Sequence, residues 1–129
     1  MALETRVPLQ EPAHYPESFV RFSFSKCDMD NYCIQNLEKD ELKRLYSTFG
    51  RLENITWKNV RQLQHEKGFS IEKKDSSMHS FLQPRMDGCS TFGHFRVNGS
   101  ASNTRVFVGL QRDLAYILLI DRSGELQHN

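Results

Sequence analysis

A chain of 129 residues, 38% hydrophobic and 11% aromatic, is long enough for one packed core and too short for two ordinary ones. A formal net charge of +1 and a pI near 7.8 exclude a strongly basic nucleic-acid-binding domain, and no run approaches the roughly 18 apolar residues that span a bilayer. The expectation is therefore a cytoplasmic protein with no membrane partner.

Charge is uneven along the chain. Residues 1–53 hold seven Lys/Arg against nine Asp/Glu, and residues 54–129 hold ten against seven, so the halves carry −2 and +3. A mildly basic second half points to an anionic partner. The three cysteines, Cys27, Cys33 and Cys89, are odd in number and form no C-x-x-C pair. This argues against a disulfide framework and a zinc site, and leaves them as small buried hydrophobes.

Residues 1–18 carry Pro8, Pro12 and Pro16 with no apolar periodicity between them, which predicts an extended or disordered arm ahead of a single domain over 19–129. "FVRFSFS" then alternates strictly, with Val20, Phe22 and Phe24 on one face, and reads as a half-buried strand. "CDMDNY" is a polar break. From there Leu42, Leu45, Tyr46, Phe49 and Leu52 recur at steps of three and four, which marks the apolar stripe of a helix.

A second helix is expected in "TWKNVRQLQHEKG". Thr56 would be its N-cap, Trp57, Val60 and Leu63 its buried face, and Gly68 its C-terminal stop. Trp57 reads as a core anchor, not as a stacking platform for a base. With "RLEN" between them the two helices make an αα-hairpin. "FSIEKKD" supplies a short strand, and a long polar segment interrupted by Pro84 and Gly88 follows, with room for a helical turn around Phe81.

"HFRVN", "TRVFVGL" and "LAYILLID" are three strands joined by connections short enough only for antiparallel hairpins. The fold class is thus α+β, a single domain with an antiparallel sheet of four or five strands on the αα-hairpin, in the order β-α-α-β-β-β-β. If Val106, Val108 and Leu110 face the helices, then His94, Arg96 and Arg105 share the opposite face. A sheet dry on one side would display a cationic cluster on the other.

That element order, with "HFRVNGSASNTRVFVGLQRDLAYILLIDRSGELQH" at its end, resembles the RelE/HigB-like toxin superfamily of small ribonucleases that cut messenger RNA. The resemblance covers about half the chain. By that likeness Arg96 and Arg105 match the family's strand arginines, while Arg122 and His128 fall where its terminal basic and aromatic residues lie. The chain departs from the family in its low net charge, its longer hairpin loop and the absence of a final Tyr. Its C-terminal segment is also similar to small uncharacterised bacterial proteins of mobile elements and gene cassettes, for which no activity is implied.

Metal-independent RNA cleavage needs a base for the 2′-hydroxyl, an acid for the leaving 5′-oxygen and cations around the phosphorane. Arg96 and Arg105 have the fork geometry of phosphate clamps, and His94 or His128 the imidazole that works as acid or base near neutral pH. Lys58, Arg61 and Arg122 are further candidates for contact with RNA. Each also has a plain structural alternative, because exposed sheet and helix faces are normally polar and a penultimate histidine is normally mobile. No phosphate-binding Gly loop, H-E-x-x-H, G-x-S-x-G or spaced carboxylate pair is present, so neither metal nor cofactor is expected.

Two functions follow. One is a RelE-like endoribonuclease, or a degenerate relative, acting on RNA or at the ribosome and paired with an antitoxin. The other is a non-catalytic module that binds a protein partner or homodimerises.

Overall fold

The computed structural model describes residues 12–63, 69–73, 82–86, 88–89, 91–97 and 104–122, with the side chains of Arg61, Lys73 and Gln83 excepted. Strand β1 (Arg21–Ser23) leads into helices α1 (Lys39–Leu52) and α2 (Trp57–Leu63). Strands β2 (Ser70–Lys73), β3 (Thr91–Arg96), β4 (Arg105–Gln111) and β5 (Leu114–Asp121) follow. They form one sheet in the order β1-β5-β4-β3-β2. The element order is the expected one, and the class is α+β. Among the described residues no helix is long and apolar enough to cross a membrane.

One feature of the sheet differs from expectation. The pairs β2·β3, β3·β4 and β4·β5 are antiparallel, but β1 runs parallel to β5, with Phe22 opposite Ala115, so the sheet is mixed. Hairpin connections fix the direction of neighbouring strands, whereas β1 is separated from its partner by the whole rest of the domain. The two helices carry the chain from the β1 edge across the sheet to the β2 edge.

The helix-side core is aromatic. Rings link Phe49 to Phe22 (4.8 Å), Phe22 to Phe95 (5.9 Å), Phe95 to Phe69 (5.3 Å) and Phe69 to Trp57 (6.4 Å). Val106, Val108, Leu110, Ala115, Ile117 and Ile120 supply the sheet's share. Trp57 is fully buried, and its indole N–H donates to the Asp113 carbonyl (3.0 Å) in the β4–β5 turn, so it is the core anchor its apolar spacing implied. In α1, Leu45 and Leu52 are buried, but Tyr46 is 61% exposed and Thr48 takes its place inside. The Thr48 hydroxyl donates to the Arg44 carbonyl (2.9 Å), which satisfies it within the helix.

Residues 12–18 belong to the expected arm, yet they are docked. Pro12 is buried in a 3-10 turn, and the α2 amides of Trp57 and Lys58 donate to the carbonyls of Ser18 (2.9 Å) and Pro16 (3.0 Å). The first helical turn has no internal acceptors for its N–H groups, and this segment supplies them. Gly68 and Phe81 lie outside the described residues, as does the remainder of the arm.

Candidate functional site

The sheet face away from the helices is not open along its length. A second apolar cluster of Leu82, Met86, Cys89, Phe92, Phe107, Leu118 and Leu119 covers part of it. This corrects the expectation of one dry face and one wet face. Between β4 and β5 the register slips after Phe107, so that Phe107 faces Leu119 and Val108 faces Ile117. The slip brings Leu118 and Leu119 into the same cluster, as a bulge allows. Gly109 makes room for the cover, since a Cβ there would stand 2.8 Å from the Cys89 sulfur.

A polar tether holds the cover in place. Asp28, 8% exposed, accepts the backbone N–H groups of Tyr32 (2.8 Å) and Asn31 (2.9 Å) on one oxygen, and Arg85 donates to the other (3.0 Å). Those hydrogen bonds, led by the Tyr32 amide, hold the Asp28 carboxyl below its usual range. The Asp28 N–H donates to the Leu118 carbonyl, and Ile120 donates to the Tyr32 carbonyl, so the loop after β1 continues along the edge of β5. Cys33 and Cys89 are buried and Cys27 half-buried, all as free thiols. Burial, with the nearby Cys33 and Asp28, pushes the Cys27 thiol up to about 11.

Beyond the Phe107 row the second face becomes polar. Phe107 pairs with His94 on β3, and their rings are 5.6 Å apart. Two residues further, Arg105 is the direct cross-strand partner of Arg96 on one side and of Asp121 on the other. Directly opposed residues have Cβ atoms about 4.5–5.5 Å apart. The face therefore ends in a row of two guanidiniums and one carboxylate, with an imidazole one step inward. Cys89 sits over Gly109, four residues from Arg105, or about 13 Å along the strand.

Arg96, Arg105 and His94 are each half-buried, while Asp121 is fully buried. Partial burial lowers the Arg105 pKa, the neighbouring Arg96 charge lowers it further, and Asp121 acts in the opposite direction.

The other predicted residues are elsewhere. Arg122 follows Asp121 and turns to the helix side, where its Nε donates to Glu41 (2.8 Å) and its Nη2 lies 3.3 Å from Glu38. Lys58 is exposed on α2, between Trp57 and Asn59 in the helix layer. The Arg61 side chain and His128 lie outside the described residues. The structure thus brings together His94, Arg96 and Arg105, but not Lys58 or Arg122. Asp121 and the Asp28–Arg85 tether were missed by sequence reasoning. Asp121 was legible as the polar end of an apolar strand directly opposite an arginine-bearing one; the tether spans 57 residues and leaves no local pattern.

Among the described residues no group of three or more His, Cys, Asp or Glu side chains is arranged to hold a metal ion. In comparisons with known proteins, no family model, no curated protein and no solved structure matches the chain.

Proposed function

We propose that the Arg96–Arg105 end of the second sheet face binds the phosphates of RNA, and that the chain is a RelE-like endoribonuclease or a degenerate relative of one. The observation that carries this reading is the direct cross-strand pairing of the two arginines. Two guanidinium forks side by side, with the one carboxylate of Asp121 next to them, leave a net positive charge that a phosphate accepting from both forks complements.

His94 is the group for proton transfer. It takes the 2′-hydroxyl proton as the 2′-oxygen attacks phosphorus; the bond to the 5′-oxygen breaks, and that oxygen picks up a proton from a general acid or water. A 2′,3′-cyclic phosphate and a free 5′-hydroxyl result. Arg96 and Arg105 stabilise the charge that develops on the phosphorane.

The test is binding and cleavage of a labelled single-stranded RNA across a salt series. Arg96→Ala and Arg105→Ala should each lower the slope of log K against log salt by about 0.7. His94→Gln should slow cleavage by on the order of 10²-fold or more while binding persists. Binding that ignores both arginines would refute the reading.

One observation favours the non-catalytic alternative, a protein-binding or dimerising module. Phe19, Phe24, Met29 and Tyr46 are all 45% exposed or more, and Phe24 lies 6.0 Å from Phe49, one helical turn from Tyr46. Exposed large apolar side chains, Phe24 among them packed on the helix α1 that carries Tyr46, are the kind of surface that contacts a partner. A concentration-dependent dimer that Tyr46→Lys dissolves, in a protein that binds no RNA, is the result this alternative predicts.

A further inference from the structure

The ends of three strands beside the arginine row are laced to one another and to α1. Val97, which follows Arg96, donates its N–H to the Thr104 carbonyl (3.1 Å). Thr104, which precedes Arg105, donates its hydroxyl to the Arg122 carbonyl (3.1 Å). The Arg122 guanidinium is held by Glu41 (2.8 Å) and Glu38 (3.3 Å). Glu41 is itself fixed, because its other oxygen accepts the Glu38 backbone N–H (2.7 Å) at the start of α1.

Strand alternation puts Asp121 on the arginine face and Arg122 on the helix face. We infer that Arg122 is a positioning residue: through Glu38, Glu41 and Thr104 it fixes the strand ends that hold Arg96, Arg105 and Asp121, and it makes no contact with RNA. The inference rests on the RNA-binding reading for its consequence, though not for its geometry. The Glu41 carboxyl is held below its usual range by the Glu38 amide and by Arg122, and the Arg122 pKa is raised by Glu41 and Glu38. Two of the three Arg122 guanidinium nitrogens are turned to carboxylates on the helix side, while Arg96 and Arg105 stand together on the other face.

The test uses a charge-neutral pair of changes, Arg122→Gln with Glu41→Gln. A glutamine at position 41 still accepts the Glu38 N–H, so the helix start is preserved. Two readouts are taken, the Nε–H resonance of Arg105 by NMR and the salt dependence of binding to the labelled single-stranded RNA. The expected result is a shifted Arg105 resonance, RNA affinity reduced by up to about fivefold, and an unchanged salt slope. An Arg105 resonance that stays in place overturns the inference whether or not RNA binds. A salt slope lowered by about 0.7 overturns it too, because Arg122 would then be a phosphate contact. Failure of the wild-type protein to bind RNA sinks the functional reading alone, and the Arg105 resonance still decides the role of Arg122.

Discussion

Asp28→Ala removes the acceptor on which the second core depends. The carboxylate takes two backbone N–H bonds and one from Arg85, all between 2.8 and 3.0 Å. Hydrogen bonds to a charged group contribute about 1.5–3 kcal/mol each when their partners stay dry. Here Asn31 is exposed and the Arg85 side chain is 35% exposed, so both regain water when Asp28 is lost. A figure of about 1 kcal/mol per bond then applies, and the substitution should cost about 3 kcal/mol in urea unfolding. Asp28→Asn keeps an oxygen for the two amides and should cost about half as much.

The pH dependence follows from the lowered Asp28 pKa. A carboxylate whose folded pKa lies below its unfolded value of about 3.9 contributes stability that is complete above that pH. The contribution is lost as pH falls through the folded value. The difference between wild type and Asp28→Asn should therefore be constant from pH 7 to about 5 and shrink on further acidification. The same variant should speed labelling of Cys89, which the tethered cover keeps 5% exposed. A cost below about 1 kcal/mol for Asp28→Ala, or a pH-independent difference, would refute the reasoning.

Two further substitutions test the packing, both by urea unfolding. Gly93→Ala would set a Cβ 2.4 Å from the Ser70 carbonyl oxygen, in backbone that pairs β2 with β3, and should destabilise by about 2–3 kcal/mol. Thr91→Val should stabilise by about 1 kcal/mol, because the buried Thr91 hydroxyl has no hydrogen-bond partner among the described residues. A neutral Gly93→Ala would mean that β2 moves aside, and a neutral Thr91→Val that the hydroxyl is already satisfied.

Local patterns carried most of the architecture. Alternation in "TRVFVGL" set Val106 and Val108 toward the helices and Arg105 away from them, and the short connections forced the antiparallel meander. The arginine pairing was likewise legible, since strand alternation puts Arg96 and Arg105 on one face. What the sequence left unwritten is long-range. Nothing local to Phe22 specifies that β1 joins β5 in parallel, and nothing near Pro84 says that Leu82 and Met86 return to cover Phe107. Tyr46 fits the helical stripe by spacing but falls beyond the area the sheet covers, and Thr48 is inside because its hydroxyl closes on its own helix. Arg122 shows the limit of reading charge alone, since its ion-pair partners lie 81 and 84 positions earlier, at Glu41 and Glu38.

The claim that the arginine end of the second face takes RNA is tested most directly by titrating the isotope-labelled protein with a short single-stranded RNA and following each backbone amide by NMR. The account predicts shifts concentrated at His94, Arg96, Arg105 and Asp121, fading toward Gly109 under the Cys89 cover, with Lys58 and the exposed side of α1 unchanged. Shifts centred on Phe24 and Tyr46, or on α2, or none at millimolar RNA, would contradict it.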